Sequence, residues 1–428
     1  MQVALCPVNR SVDRTVVKNN SIVPKPVLSV EKELNSFNSP VSSSYLFQLP
    51  NVRFSGAEET NYIKEVTEQP KVIANLVGKY FGENPQEVSN LNLNISEEGL
   101  KNIQKIAIVA SGSSKNVAMM AKDFIENVAK IPVEVDFASE YAHRNPSVKE
   151  NELAVFISQS GETADTLAAL LDAKRKGAET IALTNVARSK IDVSANSSMD
   201  VGAGKEKAVA ATKSVTAQLV NLYALGLKLA QSRGTLSTDK IEEYSKELNT
   251  ISAKLSGMLQ DTASIESLAK DLALKKDFYI LGRGANYGAA LEGALKLRET
   301  SYFNSTAFPS GEFLHGYIAS VDKDTPVISI VQGNVGDENY ELAYKNTKEV
   351  MDKRAPENLV IIKNESNKKI EEDPSFKNAV FLNIPDTKEA ISPLYSVVRF
   401  QMLANYITKA QGNNPDNPRS LTKAVLSE

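Results

Sequence analysis

The sequence predicts an α/β protein with two tandem domains, each a parallel sheet flanked by helices on both faces. Three observations carry that expectation. From about residue 101, short β-rich apolar runs alternate with longer amphipathic helical patterns, which is how βαβ units read in sequence. Several of these runs end in a small-residue turn that leads into a helix. The pattern also recurs: Gly284 follows Gly112 at the same separation as Gly333 follows Gly161, so a pair of turns in one half returns in the other.

Taken in order, residues 1–58 are rich in Ser, Asn, Val and Pro without a sustained period and read as a disordered or linker-like segment. Residues 59–100 form a helical lead-in, EETNYIKEVTEQPKVIANLVGKYF at its start. Pro70 is expected there to open a new helix at its first turn. The first domain spans 101–235. Ile106 to Ala110 (IAIVA) reads as a strand buried on both faces, followed by Ser111-Gly112-Ser113-Ser114 and a helix with Val117, Met120, Ala121, Phe124 and Val128 on one stripe. Leu153 to Ile157 (LAVFI) is the next strand, followed by Ser158-Gln159-Ser160-Gly161-Glu162-Thr163, and Ile181 to Thr184 (IALT) is a third. A helical segment at about 238–268 joins the halves. The second domain spans 265–410, with strands at Asp277 to Leu281 (DFYIL) and Val327 to Val331 (VISIV), and a polar tail occupies 411–428.

Composition narrows the function classes. Hydrophobic residues make up 42% and charged residues 24% of the 428, an ordinary globular balance that can support a sizeable core without staples. A net charge of −3 gives no electrostatic case for nucleic acid or an anionic membrane as partner. The single cysteine, Cys6, excludes an internal disulfide or a cysteine metal cluster. Two histidines, His143 and His315, argue against a multi-histidine metal site. No basic and apolar leader precedes Cys6, and no apolar run approaches the ~18 residues of a membrane span. A cytoplasmic enzyme or binding protein is expected.

Two constellations carry chemistry. The turn Ser158-Gln159-Ser160-Gly161-Glu162-Thr163 should sit where a strand ends and a helix begins, and free N–H groups and the helix dipole favour an anion there. Ser113 and Ser114 occupy the matching turn of the neighbouring βα unit. Two such turns facing one crevice could hold a phosphate and sugar hydroxyls; the alternative is helix capping by Ser and Thr. The second half has Ile330, Val331 and Gln332 where the first has its serines, so the first half is expected to bind the phosphate. The second constellation is Glu292, Lys296 and Glu299, at i, i+4 and i+7 on one face of a helix whose other residues are apolar and small. Charges on a buried helix need partners, and their pKa values move easily. One carboxylate that accepts and returns a proton could shift it between adjacent sugar carbons; the alternative is a solvated salt-bridge stripe. His315, in a Gly-rich loop, and Lys423, near the end of the sequence, are each more often structural or solvated side chains.

Together the segments EVTEQP, ASGSS, SQSGETADTLAAL, ATKSVTAQL, LGRGANYGAALEGALKLRETSY, GEFLHG and NPRSLTK resemble the isomerase half of the glutamine–fructose-6-phosphate aminotransferases (glucosamine-6-phosphate synthases). They are also similar to the related glucosamine-6-phosphate deaminases of the SIS superfamily. The resemblance runs from about Glu65 to the last residue. It implies two tandem SIS domains of flavodoxin-like three-layer α/β/α form. By position, it implies that Ser113, Ser114, Ser158, Gln159, Ser160 and Thr163 bind the sugar phosphate, and that Val209 and Ala210 line the pocket. It implies that Glu299 shuttles the proton between the first two sugar carbons with Lys296 beside it. His315 would open the ring, and Lys423 would form a Schiff base with the open-chain ketose.

The resemblance further implies an obligate homodimer, because the histidine loop of the family reaches the partner subunit's site. It implies chemistry that needs no metal and no organic cofactor. Leu314 stands where the synthases usually have lysine before the histidine. The glutaminase half of the synthases is expected to be missing, so the nitrogen source would be free ammonia or a separate glutaminase chain, unless the enzyme runs as a deaminase on a gluco or galacto amino sugar. Ala210-Ala211-Thr212-Lys213-Ser214 and Asn414-Pro415-Asp416 look more deaminase-like and EGALKLRETSY more synthase-like, so direction stays open. A non-catalytic SIS module that senses a sugar phosphate is the competing class. Such a sensor needs the serine turns but not Glu299, His315 and Lys423.

Overall fold

The computed structural model describes residues 60–82 and 84–423; the segment 1–58, read above as linker-like, lies outside the described residues. Two helices lead in, α1 (Asn61–Phe81) and α2 (Glu97–Asn102). The first sheet comprises β1 (Lys105–Ala110), β2 (Val133–Phe137), β3 (Glu152–Ser158), β4 (Glu179–Thr184) and β5 (Ser197–Asp200), connected by α3 (Gly112–Ala129), α4 (Ala138–Tyr141), α5 (Ala164–Arg175) and α6 (Lys190–Ser194). Three helices follow, α7 (Lys213–Arg233), α8 (Thr238–Met258) and α9 (Ala263–Leu272). The second sheet comprises β6 (Asp277–Gly282), β7 (Asn304–Pro309), β8 (Val327–Val331), β9 (Leu359–Asn364) and β10 (Val380–Ile384), connected by α10 (Ala285–Ser301), α11 (Ser310–Phe313), α12 (Glu338–Arg354) and α13 (Lys369–Glu372), and α14 (Pro393–Ala410) closes it.

Strand order is β2-β1-β3-β4-β5 in one sheet and β10-β9-β8-β6-β7 in the other. All neighbouring strands pair in parallel. Read within each half, the second strand lies outside the first and the remaining three run the other way. The order therefore reverses between β1 and β3, and again between β6 and β8, and such reversals open a crevice at the carboxyl ends of the strands. The four turn glycines that set the sequence repeat all take left-handed backbone, with φ +55 at Gly112, +67 at Gly161, +53 at Gly284 and +118 at Gly333.

Strand β3, ELAVFIS, is buried along its whole length, as a two-sided central strand should be. The edge strands β2, β5, β7 and β10 carried no such run and were not legible in the sequence. Their residues are mostly partly exposed, as in Asn304–Pro309, where Ser305 alone is buried. Central β9, LVIIKN, is also fully buried, and its polar end hid it; Lys363 is buried there against Glu371 at 2.7 Å.

Pro70 corrects one expectation. It lies inside α1, which runs unbroken from Asn61 to Phe81. Proline cannot donate to the carbonyl four residues back. The Gln69 side-chain amide donates to the Val66 carbonyl instead, at 3.0 Å, so the turn survives with that carbonyl satisfied.

The two halves meet through helices. Helix α10 packs against both α3 and α14, and α3 packs against α7. Close approach explains why α10 is built of small residues. A Cβ added at Gly288 would meet Met120 Cγ of α3 at 2.6 Å, and one at Gly293 would meet Phe400 Cγ of α14 at 2.5 Å. The apolar core runs through this seam, including Met120, Phe124, Ala289, Ala290, Leu297 and Phe400. Burying each large side chain contributes about 1.5–3 kcal/mol. This seam fixes α10 against the first sheet's turns. Among the described residues no helix is long and apolar enough to cross a membrane, and no group of three or more His, Cys, Asp or Glu forms a metal site.

Candidate active site

The turn after β3 lies at the N-terminus of α5. Ser158 Oγ and Thr163 Oγ1 are in hydrogen-bond contact at 2.9 Å, and Ser158 Oγ accepts the Gly161 N–H at 3.0 Å. Ser160 Oγ accepts the Glu162 N–H at 3.2 Å. Gly161 is required twice over: its φ is left-handed, and a Cβ would stand 1.9 Å from Ser189 Oγ. Thr163 precedes α5, yet its hydroxyl makes no capping bond, and neither does that of Ser111 before α3. Capping therefore does not account for these hydroxyls. Ser113 and Ser114 lie in the first turn of α3, half-buried, beside this turn because β1 and β3 are neighbours.

Helix α10 brings charge to the same place. Lys296 is fully buried, and its ammonium donates to Glu299 Oε2 at 2.5 Å and to Ser113 Oγ at 3.2 Å, while Glu292 Oε1 lies at 3.4 Å. Asn116 of α3 donates to the other Glu292 oxygen at 2.9 Å. Glu292 is fully buried, whereas the Glu299 side chain is 22% exposed. A solvated stripe is thereby excluded. Burial works against the charge on Lys296, but the carboxylates of Glu299 and Glu292 outweigh it and push the ammonium's pKa up. Burial pushes the Glu292 carboxyl up, partly offset by Lys296. The accessible member of the group is Glu299, with Lys296 holding it in place.

Replacing Lys296 by Met should destabilise the fold by about 3–5 kcal/mol, because Glu292 would stay buried without a countercharge. Urea unfolding would measure the loss, and adding Glu292→Leu should recover a large part of it. An unchanged midpoint in the single variant would contradict the buried triad.

A third element comes from the C-terminal tail. Lys423 Nζ donates to Glu206 Oε2 at 2.7 Å and to the Ala208 carbonyl at 2.5 Å. Glu206 is a buried hub. It accepts the Thr212 and Ser214 N–H groups at 3.0 and 3.1 Å and both their hydroxyls at 3.0 Å. Burial opposes its charge, but Lys423 and those N–H groups hold its carboxyl below the ordinary value. Glu65 of α1 holds the same loop, accepting from the Lys207 N–H, the Ala208 N–H at 3.2 Å and the Thr212 hydroxyl at 3.0 Å. Burial, reinforced by Glu206, raises the Glu65 carboxyl. The tail is tied back by Asp416, whose carboxylate accepts the Asn61 and Tyr62 N–H groups at 2.9 and 2.7 Å, an anion at a helix N-terminus. The Val209 N–H donates to the Asp416 carbonyl at 3.2 Å, and Ala210 is buried beside it.

The structure thus brings Ser113 to Lys296 and Glu299, and brings Lys423 onto the loop that carries Val209 and Ala210. Tyr62 of α1 is buried, with its backbone N–H on Asp416. Its fully buried phenol is pushed well above the usual range by burial and then by Glu299, Glu292, Glu206 and Glu65. His315 is not joined to this cluster. It is exposed in the loop after α11, and its backbone N–H donates to the Glu312 carbonyl at 2.9 Å. Sequence reasoning gave no role to Glu65, Glu206 or Asn116, and read Asp416 only as part of a deaminase-like segment. The available signal was an acidic residue in a small-residue or apolar context, in EVTEQP and GKEKAV.

Comparison with known proteins places the fold in a family. The SIS domain family matches residues 99–228 and 271–407, which take in the two sheets. Glutamine–fructose-6-phosphate aminotransferase (isomerizing) of Clostridium tetani is 40% identical over 372 residues, covering 86% of this chain and 59% of that protein. The Methanosarcina acetivorans protein of the same name is 37% identical over 379 residues, covering 88% of this chain and 60% of its own length. The chain therefore spans about three fifths of the curated relatives it matches. Among solved structures, the C-terminal domain of glucosamine-fructose-6-phosphate aminotransferase from Francisella tularensis superposes with a TM-score of 0.79 at 32% identity, covering 86% of this chain and 100% of that one. A glucosamine-6-phosphate deaminase from Thermotoga maritima, at 23% identity and a TM-score of 0.61, shares the fold. Matched over both of its sheets, and spanning that solved domain from end to end, the chain belongs to the SIS domain family, where its relatives include the C-terminal domain of glucosamine-fructose-6-phosphate aminotransferase.

Proposed function

We propose that the chain is a sugar-phosphate aminating isomerase, interconverting fructose 6-phosphate plus ammonia with glucosamine 6-phosphate plus water. The observation that carries this reading is the Lys296 ammonium, bonded at once to Ser113 of the first sheet's turn and to Glu299 of the second half. It links an anion cradle to an acid–base carboxylate, which a phosphate sensor would not need. In this reading Ser113, Ser114, Ser158, Gln159, Ser160 and Thr163 hold the phosphate. Lys423, seated on Glu206 and the Ala208 carbonyl, loses a proton to solvent and condenses with the C2 carbonyl, releasing water; ammonia then displaces the lysine at the same carbon. Glu299 takes a proton from C1 and returns it to C2.

His315 sits on an exposed loop, which suits a role in ring opening at a partner subunit's site, so the enzyme is a homodimer in this reading. Ammonia arrives free or from a separate glutaminase chain, and the reaction is cytoplasmic. No metal or organic cofactor enters these steps. The test is an assay of the purified chain in both directions. Glucosamine 6-phosphate should form from fructose 6-phosphate with ammonium, and not with glutamine alone. Turnover only of amino-sugar phosphate would assign deamination, and tight binding without turnover would assign a sensor.

A further inference from the structure

The stretch of tail that leads to Lys423 is exposed from Arg419 to Thr422. Two contacts seat the lysine amine, to Glu206 and to the Ala208 carbonyl. An ammonium carries three N–H donors, whereas a protonated imine carries one. The two contacts therefore cannot both persist once the nitrogen is bonded to C2, and the tail must be held elsewhere while they are exchanged. Asp416 supplies that hold. One of its carboxylate oxygens accepts the Asn61 N–H at 2.9 Å and the Asn61 side-chain amide at 3.0 Å, and the other accepts the Tyr62 N–H at 2.7 Å. The Ile63 N–H goes to the Thr60 hydroxyl at 3.4 Å and the Lys64 N–H to the Thr60 carbonyl at 3.2 Å. All four donors of the first turn of α1 are thus satisfied, two of them by Asp416. The charge sits at the positive end of a 21-residue helix that buries Tyr62 and Ile63. The Asp416 carbonyl accepts the Val209 N–H at 3.2 Å, next to the Ala208 carbonyl that seats the lysine. Pro415 and Pro418, both buried, flank Asp416 and restrict the backbone on either side.

We propose that Asp416 is a positioning residue for the covalent step, fixing the tail to α1 and to the pocket loop while Lys423 gives up its contacts for the bond to C2. This rests on the proposed function, which assigns Lys423 to C2. Asp416 touches no reacting atom. It acts through two neighbours at once, since the side chain orients the tail and the backbone carbonyl orients Val209. The serine turns that hold the phosphate lie on other elements, after β1 and β3, and none of their bonds runs through Asp416. Loss of the hold should therefore appear in the reactivity of Lys423 and not in the affinity for sugar phosphate. A lysine free to wander from its attack position loses the gain that fixed geometry gives a bimolecular step.

The test uses two variants of the full chain, Asp416→Asn and Asn61→Pro. The first removes the charge and one acceptor. The second removes both Asn61 donors yet keeps the helix start, because proline suits the first helical position and Thr60 before it is already extended at φ −68, ψ 155. Three quantities are measured: the rate at which borohydride traps fructose 6-phosphate on Lys423, kcat, and calorimetric binding of glucose 6-phosphate. In each variant trapping and kcat should fall about tenfold or more, with binding within about twofold of wild type. The double variant should fall by less than the product of the two single losses, since both remove the same contact. Wild-type trapping in both variants would overturn the assignment and leave the proposed function intact. Parallel losses of trapping and of glucose 6-phosphate binding would also overturn it, by making Asp416 a structural residue. If Asp416→Asn fails to fold, Asn61→Pro decides alone on the same criteria. Absence of any Lys423 adduct in the wild type would overturn both readings.

Discussion

Replacing Glu299 by Gln lowers turnover by about 10³-fold, while glucosamine 6-phosphate binds within about threefold of wild type. The amide keeps the shape and can still accept from Lys296, but it cannot take up and return a proton. Lys296 keeps its contacts to Glu292 and Ser113, so the buried part of the triad stays paired and the serine turns stay in place. The Glu299 side chain is partly exposed, so loss of its charge perturbs the core less than loss of Lys296. The variant therefore separates binding from chemistry. Loss of solvent-hydrogen exchange at the sugar's first two carbons, measured on bound fructose 6-phosphate, should parallel the loss of turnover. Retained activity would remove Glu299 from the proton path, and lost binding would make it a structural residue.

Much of this site could be read along the chain where the information is local. The stripe of Glu292, Lys296 and Glu299 follows from helical spacing, and the serine turns follow from strands that end in small residues. The partners were not legible. Ser113 and Lys296 are 183 residues apart, and nothing local says that Gly288 and Gly293 let α10 approach α3 and α14 closely enough for them to meet. Glu206 and Glu65 look like surface acids until the loop 206–214 folds its N–H groups onto them. Pro70 was misread because the local rule for proline ignores Gln69, which supplies the missing donor. The edge strands escaped because one side of each faces solvent or a helix end, so their apolar pattern is diluted.

The second large effect concerns Lys423. Its side chain is 29% exposed, with the amine on Glu206 and the Ala208 carbonyl. A salt bridge to a buried carboxylate, itself held by the Thr212 and Ser214 donors, keeps the lysine in one place. Lys423→Met should remove turnover with fructose 6-phosphate by at least about 10³-fold, since the covalent route would be closed. The Glu206 cluster should lose stability as well, because a buried carboxylate would keep its four other donors but lose its countercharge. Glu206→Gln should slow turnover less than Lys423→Met and shift its pH dependence, because it removes the charge that positions the lysine while sparing the nucleophile.

The most direct measurement is reduction with borohydride in the presence of labelled fructose 6-phosphate, followed by peptide mapping. One equivalent of label should appear on Lys423, be blocked by excess glucosamine 6-phosphate, and persist in Glu299→Gln. Label on another lysine, or no adduct at all under saturating sugar phosphate, would contradict the convergence of tail, helix and serine turns on one sugar.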